Sequence, residues 1–313
     1  MYDFNYHRPR SLSDASALLE ADKEPKLLAG GMSLLPTLKL RLARLDSLID
    51  LGTIDGLRGI TREGDELVVG AMTPHAVVAA SDVVRKAIPA LADLAESIGD
   101  PLVRNRGTLG GSMANADPAA DYPCAIVGLG ATVATNQRTI NGDAFFTGLF
   151  ETALKPREII TSVRFPIPEK AGHAKLRQPA SRFAITGVFV SRRAGMVRVA
   201  VTGVAPSVFR FTQAEAALAK RFDPASLDGI SLDSEGLNAD IHASAIYRAH
   251  AACEITRRAV AADDRATGTD CASLVERAGQ KLEGFEFQRL HGMGDALYHD
   301  LREAFPALPC RTY

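Results

Sequence analysis

Apolar and polar positions change period repeatedly near the start of the chain, which predicts a mixture of helices and strands. Residues 11–19 begin with hydroxyl and acidic side chains and continue as an apolar stripe, which is typical of a short capped helix. Residues 26–29 and 47–51 are apolar runs that predict buried strands, and residues 34–42 have helical spacing. The predicted order is β-α-β-α-β, with a glycine pair between the second strand and the second helix.

The next region, up to residue 168, has the patterns of a hairpin, of helices and of further strands. Residues 59–61 and 66–71 alternate between apolar and polar side chains around a polar turn, which predicts a hairpin. Residues 73–97 have helical spacing with an interruption near Pro89. Strands are predicted at residues 131–134, 138–140 and 158–165. The chain then breaks at Pro166 and Pro168, where we place the first domain boundary.

Beyond this boundary the pattern predicts a second, smaller α+β domain. Residues 184–190 and 196–204 are typical of neighbouring antiparallel strands, and residues 213–220 and 243–262 have helical spacing. The last residues are polar and less regular, with helical candidates at 271–282 and 291–305, and form either an interaction tail or a disordered end. The predicted organisation is residues 1–168, with subdomains of about 1–56 and 57–168, then residues 169–262 and a tail of residues 263–313.

Composition and charge argue against several classes of function. The chain has 313 residues, of which 46% are hydrophobic and 23% are charged, enough for two or three domains with proper cores. A net charge of -1 gives no long-range field for nucleic acid or anionic lipid. The N-terminus lacks a signal-peptide pattern, and the longest apolar run, residues 124–134, is too short to span a bilayer, so we expect a cytoplasmic protein. The four cysteines form no C-x-x-C pair, so no metal or iron–sulfur site is expected here.

Two glycine-rich segments, residues 29–36 and 108–123, are the strongest candidates for a ligand site. Each joins a Gly-Gly pair to a hydroxyl residue, so the bare backbone can approach a ligand while N–H and O–H groups donate to it. This combination is typical of anion binding. Neither segment has the pattern of a Rossmann fold or of a P-loop, and a single such segment is more often an ordinary turn.

Together with their surroundings, the two segments resemble the FAD-binding subunit, or middle domain, of the xanthine dehydrogenase and aerobic-type carbon monoxide dehydrogenase family. The resemblance includes residues 98–112, resumes at 181–185 and extends to residues 241–259, so it covers most of the chain. It implies an α+β fold, in which a two-subdomain PCMH-type (non-Rossmann) FAD-binding domain precedes a smaller α+β C-terminal domain with an antiparallel sheet. It also implies that FAD is the cofactor.

The resemblance further implies which residues bind FAD. The pyrophosphate would be enclosed by Leu28, Ala29, Gly30, Gly31, Met32, Ser33 and Leu34 from one side, and by Thr108, Gly110, Gly111 and Ser112 from the other. Asp121 would accept hydrogen bonds from sugar or ribityl hydroxyls, with an Asx turn before Pro123 as the alternative. Asn115 would bond to the ribityl chain or the flavin edge. Ile98 and Ile160 would either press against the isoalloxazine ring or belong to the ordinary core.

The chain departs from the family pattern at two positions. Met32 stands where many relatives have His or Gln, which removes a side-chain hydrogen bond but leaves the backbone cradle. Gln178 stands where relatives commonly have a basic residue near the flavin, so either the flavin potential is lowered or a neighbouring arginine supplies the charge. His and Cys, the usual points of covalent attachment, are missing from both glycine-rich segments, so we expect non-covalent FAD.

The sequence shows no catalytic residues, since no nucleophile with its base and no metal-ligand set can be recognised. In the family, substrate is oxidised at a molybdopterin centre in a large subunit, and electrons pass through [2Fe-2S] clusters of a small subunit to FAD. The resemblance therefore implies an oxidoreductase subunit that passes electrons to NAD+, a quinone or oxygen, within a dimer of heterotrimers. Two alternatives stay open, a free-standing FAD oxidoreductase and a scaffold subunit whose flavin site has decayed. The intact glycine pairs argue against decay.

Overall fold

The computed structural model describes residues 1–266, whose strands form a three-stranded, a five-stranded and a four-stranded sheet besides a short hairpin. In chain order the first elements are β1 (Asn5–His7), α1 (Leu12–Ala21), β2 (Pro25–Leu28), α2 (Leu34–Lys39) and β3 (Ser47–Asp50). Strand β3 lies between β1 and β2 and is parallel to both. The hydroxyl of Ser11 accepts a hydrogen bond from the N–H of Asp14 (3.1 Å) and caps α1. The predicted β-α-β-α-β order is confirmed.

The second sheet is antiparallel, with the strand order β4-β5-β10-β6-β7. Its strands and the intervening hairpin are β4 (Ile60–Glu63), β5 (Glu66–Gly70), β6 (Thr132–Thr135), β7 (Thr139–Asn141), β8 (Phe146–Gly148), β9 (Glu151–Thr152) and β10 (Ile160–Pro166). Alternate side chains of β5 and β10, such as Leu67 and Val163, are fully buried, which is why the period of two predicted these strands. The predicted hairpin, now β4 and β5, is confirmed.

A series of short helices connects β5 to β6, and most of them pack with the second sheet in one hydrophobic core. These helices are α3 (His75–Ala80), α4 (Asp82–Ala87), α5 (Pro89–Glu96), α6 (Pro101–Arg106), α7 (Leu109–Asn115) and α8 (Tyr122–Leu129). The helical stretch predicted for residues 73–97 breaks at Pro89, as expected, and also at Ser81, whose hydroxyl accepts from the N–H of Val84 (3.4 Å). The sequence did not predict α6, α7 or α8, since each spans only about two turns and α7 contains two glycines.

The third sheet is antiparallel and lies beyond the predicted boundary at Pro166 and Pro168. It consists of β11 (Lys170–Arg177), β12 (Ala184–Arg193), β13 (Met196–Thr202) and β14 (Phe209–Arg210), in that order, followed by α9 (Thr212–Lys220) and α10 (Ala245–Ala266). The predicted pairing of the two strands now called β12 and β13 is confirmed, and so are both helices. The sequence did not predict β11, which carries glycine and charged side chains instead of an apolar run. Single 3-10 turns are at Leu51–Thr53, Asp55–Leu57, Gly142–Ala144 and Pro224–Leu227.

Helix α8 connects the second and third sheets, because every one of its residues is buried and it packs against β12 and β13. A Cβ atom on Gly128 would lie 3.0 Å from the carbonyl oxygen of Phe189, so glycine permits this close approach. The hydroxyl of Ser191 donates to the carbonyl of Gly128 (2.6 Å). The start of α8, at Asp121, is thereby placed at the junction of the two sheets.

Helix α10 continues through Ala266, so the first four residues of the predicted tail, 263–266, are helical. The helical candidates at residues 271–282 and 291–305 lie outside the described residues. Among residues 1–266, none of the helices has both the length and the apolar character needed to cross a membrane.

Candidate cofactor-binding site

A cavity of about 660 Å³ lies where the two glycine-rich segments meet. Sites for cofactors and other small molecules commonly have a volume of this order. Most of the predicted FAD-binding residues line it, namely Ala29, Gly30, Gly31, Met32, Ser33, Leu34, Ile98, Thr108, Gly110, Gly111, Ser112, Asn115, Asp121 and Ile160. Leu28 and Gln178 are not among the lining residues. Leu28 packs instead in a small apolar cluster with Leu34 and Leu35.

The first glycine-rich segment follows β2 and passes very close to the end of α6. A Cβ atom added to Gly30 would lie 2.1 Å from the carbonyl oxygen of Arg106 and 2.7 Å from the Cα atom of Gly107, so only glycine permits this approach. Gly31 has a φ of 73°, in the left-handed region that favours glycine. Both glycines therefore bring the first segment against the residues that precede Thr108.

This first segment offers unpaired main-chain donors to a ligand. Within the part of the chain that the structure describes, the N–H groups of Gly30, Gly31, Met32 and Ser33 make no hydrogen bond. Hydrogen bonding resumes at Leu35, whose N–H donates to the carbonyl of Gly31 (3.0 Å). Consecutive unpaired N–H groups in a turn form a concave site that is suited to an anion.

In the second glycine-rich segment, the first N–H groups are hydrogen-bonded to other atoms of the protein. Oγ1 of Thr108 accepts a hydrogen bond from the N–H of Gly111 (3.1 Å) and caps α7. The N–H of Gly110 donates to the carbonyl of Ala71 (2.8 Å), and a Cβ atom on Gly110 would lie 2.6 Å from the Cβ atom of Ala71. These two glycines thus serve close packing, and the unpaired N–H groups that the sequence suggested for both segments lie on the first.

The two segments touch each other at the cavity. A Cβ atom on Gly111 would lie 3.1 Å from the Cβ atom of Ala29 and 4.0 Å from the nitrogen of Gly30. Ser112 and Asn115 follow on α7 and line the same cavity. Their hydroxyl and amide groups are the polar side chains that the second segment presents to a ligand.

Asp121 contributes a buried carboxylate to the cavity wall. Its Oδ2 atom lies 2.8 Å from Nζ of Lys175, and both side chains are only 5% exposed. Burial raises the pKa of Asp121 to about 6, although the charge and hydrogen bond of Lys175 lower it, so the carboxyl is mostly ionised at neutral pH. Its side chain makes no capping bond to the backbone of α8, which excludes the alternative of an Asx turn before Pro123.

Three buried polar atoms next to this wall have no hydrogen-bond partner within residues 1–266. They are Oδ1 of Asp121, Nδ1 of His75 and the hydroxyl of Tyr122. The rings of His75 and Tyr122 lie 5.3 Å apart. Burial, together with the charge of Arg104, lowers the pKa of His75 to about 4, so this ring is neutral at pH 7. Buried polar atoms without partners are uncommon in proteins, and two of these three residues, His75 and Asp121, line the cavity.

Apolar side chains form part of the remaining wall. Ile98, which is half-buried, and Ile160, which is 6% exposed, line the cavity together with Met72 and Leu154. Such walls suit the flat faces of an aromatic ring system. The cavity therefore combines an anion site, apolar surfaces and a carboxylate.

Comparison with known proteins identifies the family. A family model described as the FAD binding domain in molybdopterin dehydrogenase matches residues 2–168, a range that contains both glycine-rich segments. The chain belongs to this family. FAD is accordingly its cofactor.

Individual relatives agree with this assignment. The carbon monoxide dehydrogenase medium chain of Hydrogenophaga pseudoflava is 40% identical over 220 residues, which are 66% of this chain and 77% of the relative. The nicotine 6-hydroxylase medium subunit of Paenarthrobacter nicotinovorans is 35% identical over 271 residues, 82% of this chain and 95% of the relative. In a solved quinoline 2-oxidoreductase from Pseudomonas putida 86, one chain is similar with a TM-score of 0.76 and 29% identity, over 85% of this chain and 99% of that chain. The protein is thus an FAD-binding oxidoreductase subunit of the molybdenum hydroxylase family.

The cavity of this FAD-binding subunit fits its cofactor. The unpaired N–H groups of Gly30 to Ser33 suit the diphosphate, since phosphate oxygens accept several hydrogen bonds. The unpaired Oδ1 atom of Asp121 suits a sugar or ribityl hydroxyl, which needs an acceptor. A side chain at position 30 would overlap with the backbone at the end of α6, and one at position 111 would enter the contact between the two segments, so both glycines keep the cradle closed.

In this FAD-binding subunit, the side chain of Gln178 bonds to the backbone of its own turn. Its Oε1 atom accepts hydrogen bonds from the N–H groups of Ala180 and Ser181 (2.6 Å each), so it stabilises the turn between β11 and β12. Arg182 and Phe183 of that turn line the cavity instead, together with Ser181. The guanidinium of Arg182 donates to the carbonyl of Gly99 (3.2 Å). Of the two alternatives for the missing basic residue, this geometry favours a neighbouring arginine.

An ion pair between a buried carboxylate and a partly exposed arginine, which the sequence analysis missed, anchors the segment before β10 that lines the cavity. Glu158 accepts hydrogen bonds from Nε of Arg138 (2.9 Å), from the N–H of Lys155 (2.8 Å) and from the hydroxyl of Thr135 (2.8 Å). Burial alone would raise the pKa of Glu158, but these bonds, with Arg138 the strongest, outweigh burial and lower the pKa to about 2. Such a carboxylate has no local sequence signal, because Arg138 and Thr135 lie about twenty residues away.

Proposed function

We propose that this protein is the FAD-carrying electron-transfer subunit of a heteromeric molybdenum hydroxylase. It would take electrons from [2Fe-2S] clusters of a small partner subunit and pass them to NAD+, a quinone or oxygen. The observation that carries the proposal is the contact of the two glycine-rich segments at one cavity, with unpaired N–H groups on the first. The names of the relatives, a medium chain and a medium subunit, support a place among several different subunits.

The residues of this chain would hold FAD by three kinds of contact. The N–H groups of Gly30 to Ser33 would bind the pyrophosphate, and Ser112 would donate its hydroxyl from the opposite side. Asp121 and Asn115 would bond to the ribityl chain or to a sugar. Ile98 and Ile160 would exclude water from the ring system. When bound, FAD accepts electrons singly and releases them in pairs, which is the chemistry that an electron-transfer subunit needs.

The proposed FAD-binding domain has a two-subdomain PCMH-type arrangement. Its subdomains are residues of about 1–56, with the parallel sheet, and 57–168, with the five-stranded sheet. A C-terminal α+β domain of residues 169–262 and a tail of residues 263–313 follow. Lining residues from all three sheet regions support a cofactor that lies between the subdomains, next to the turn from β11 to β12.

The proposed partners are a small iron–sulfur subunit and a large molybdopterin subunit, in a dimer of heterotrimers. FAD would be non-covalent, because neither glycine-rich segment contains His or Cys. The two glycine pairs, which converge at one cavity, favour a working flavin site over a scaffold with a decayed one.

The first experiment is to purify the full chain, alone and with its cluster-bearing partner, and to identify any cofactor released by acid. We expect about one FAD per chain, either as isolated or after titration followed by flavin fluorescence. Anaerobic NADH, added to a second sample, would bleach the flavin if the complex is linked to nicotinamide and would leave it oxidised if a quinone is the acceptor. A protein that takes up no FAD under either condition contradicts the proposal.

A further inference from the structure

One charged side chain of the third sheet lies behind the wall of the cofactor cavity and contacts a residue that lines it. Lys175 of β11 is buried, and its Nζ atom lies 2.8 Å from Oδ2 of Asp121. The same Nζ atom donates to the carbonyl oxygen of Ser97 (3.3 Å), next to the cavity residue Ile98. A lysine is among the residues least often buried completely, and it is normally buried only with a partner.

The bond from Lys175 occupies only one of the two carboxylate oxygens of Asp121. Oδ1 is buried and has no partner among the residues that the structure describes, and Asp121 lines the cavity. A carboxylate accepts several hydrogen bonds, so a single bond from Lys175 leaves most of this capacity free. An unpaired buried acceptor costs free energy unless a ligand supplies the missing donor.

We propose that Lys175 is a positioning residue for the cofactor, because it fixes the Asp121 carboxylate through Oδ2 and leaves Oδ1 to accept a hydroxyl group of the bound flavin dinucleotide. This inference rests on the proposed function, in which the cavity holds FAD. The pair has no net charge, so the acceptor adds no uncompensated negative charge to a cavity that would also hold the anionic diphosphate. The C-terminal domain thereby contributes to the site through Lys175 as well as through the turn of Arg182 and Phe183, which lines the cavity.

Other groups near Asp121 do not replace Lys175. Burial raises the pKa of Asp121, and the negative charge of Asp117, on the loop before α8, acts in the same direction. Cys124 and Tyr122 of α8 have raised pKa values and are neutral. On β11, burial lowers the pKa of His173 to about 3, so it is neutral as well. Lys175 is therefore the group whose charge lowers the pKa of Asp121 and favours its ionised form.

The test compares FAD affinity and stability in three variants of the full chain. Lys175→Met removes the charge, Asp121→Asn removes the carboxylate, and Arg248→Met is the matched control. Arg248 is another buried cation, bonded to Asp240 and to the carbonyl of Gly203, but it does not line the cavity. FAD dissociation constants are measured by fluorescence between pH 5.5 and 8.5, and urea midpoints are measured on the apoprotein.

At pH 7.5 we expect at least tenfold weaker FAD binding for Lys175→Met and for Asp121→Asn, and an unchanged dissociation constant for Arg248→Met despite a lower urea midpoint. In the wild type, affinity should fall as the pH drops below about 6, because Asp121 then becomes protonated. In Lys175→Met this fall should move to higher pH, since the charge that favours the ionised carboxylate is gone. Lys175→Arg should restore part of the affinity.

The double variant Lys175→Met/Asp121→Asn keeps the test valid if the single lysine variant does not fold, because no unpaired charge is then buried. We expect it to unfold at a urea concentration close to the wild-type midpoint and to bind FAD at least tenfold more weakly. Wild-type affinity in the double variant, or equal losses in Lys175→Met and Arg248→Met, would overturn the positioning role while leaving the proposed function intact. A wild-type chain that binds no FAD overturns both.

Discussion

Replacement of Gly30 by alanine tests whether close contact between the first glycine-rich segment and the end of α6 forms the site. The added methyl carbon would lie 2.1 Å from the carbonyl oxygen of Arg106, whereas ordinary van der Waals contact begins at 3.4 Å. The obstructing atoms belong to the backbone of Arg106 and Gly107, so no side-chain rotation can relieve the overlap. The first segment must therefore move by more than 1 Å from the end of α6.

The size of the effect follows from this overlap. Overpacking a well-packed region typically costs about 1–3 kcal/mol of the free energy of unfolding. The reduced flexibility of the unfolded chain after a Gly-to-Ala change offsets about 0.4–1 kcal/mol of that cost. We expect a net loss of about 1–2 kcal/mol in stability. FAD affinity should fall at least tenfold, because Gly30 to Ser33 move away from the opposite wall.

Gly56→Ala is the matched control for this change. No heavy atom lies within 4 Å of a Cβ atom at position 56, and Gly56 does not have a left-handed backbone. Urea unfolding followed by circular dichroism gives the stability of each variant, and flavin fluorescence gives the FAD dissociation constant. If Gly30→Ala matches Gly56→Ala in both quantities, the contact between the first segment and the end of α6 does not form the cradle.

Three further changes test other parts of the structure. The folded pKa of Glu158 is about 2 against an ordinary value of 4.5, so its stabilising effect is complete above pH 4.5 and is lost as the pH falls towards 2. Arg138→Met should therefore lower the free energy of unfolding at pH 7 and reduce its further loss between pH 4.5 and pH 2, as measured by urea unfolding. An unchanged loss over this pH range would contradict the ion pair. Tyr122→Phe removes a buried hydroxyl without a hydrogen-bond partner, so the apoprotein's free energy of unfolding, measured by thermal unfolding, should stay the same or rise by up to about 1 kcal/mol. A clear fall in stability would mean that the hydroxyl has a hydrogen-bond partner. Gln178→Ala removes two hydrogen bonds in the turn that carries Arg182, so the free energy of unfolding in urea should fall by about 1 kcal/mol and FAD affinity by less than tenfold. A larger fall in FAD affinity would place Gln178 at the flavin.

The parts of the fold that the sequence predicted are those with a local cause. Ser11 caps α1 because hydroxyl and acidic residues begin that helix, and the strands β5 and β10 follow from alternating buried side chains. The helices α6, α7 and α8 escaped prediction because their stability comes from packing. The strand β11 escaped because its pattern of glycine and charged residues becomes a strand only by pairing with β12.

The candidate site was predictable to the same extent. The glycine pairs marked both walls of the cavity, since glycine is the residue that permits close backbone approach. The sequence could not predict that the free N–H groups lie on the first segment. The N–H of Gly110 donates to the carbonyl of Ala71, which lies elsewhere in the chain. The partners of Asp121 and Gln178 likewise depend on tertiary contacts and turn geometry.

The burial of α8 also bears on how the protein loses its structure. Its side chains face the second sheet's core on one side, and Gly128 contacts Phe189 of the third sheet on the other. If the third sheet came apart, Phe189 and the apolar surface of α8 would be exposed to water, at a cost of roughly 25 cal/mol for each Å². The two sheets should therefore melt in one cooperative transition, and a fragment cut at Pro168 should aggregate instead of behaving as an independent flavodomain.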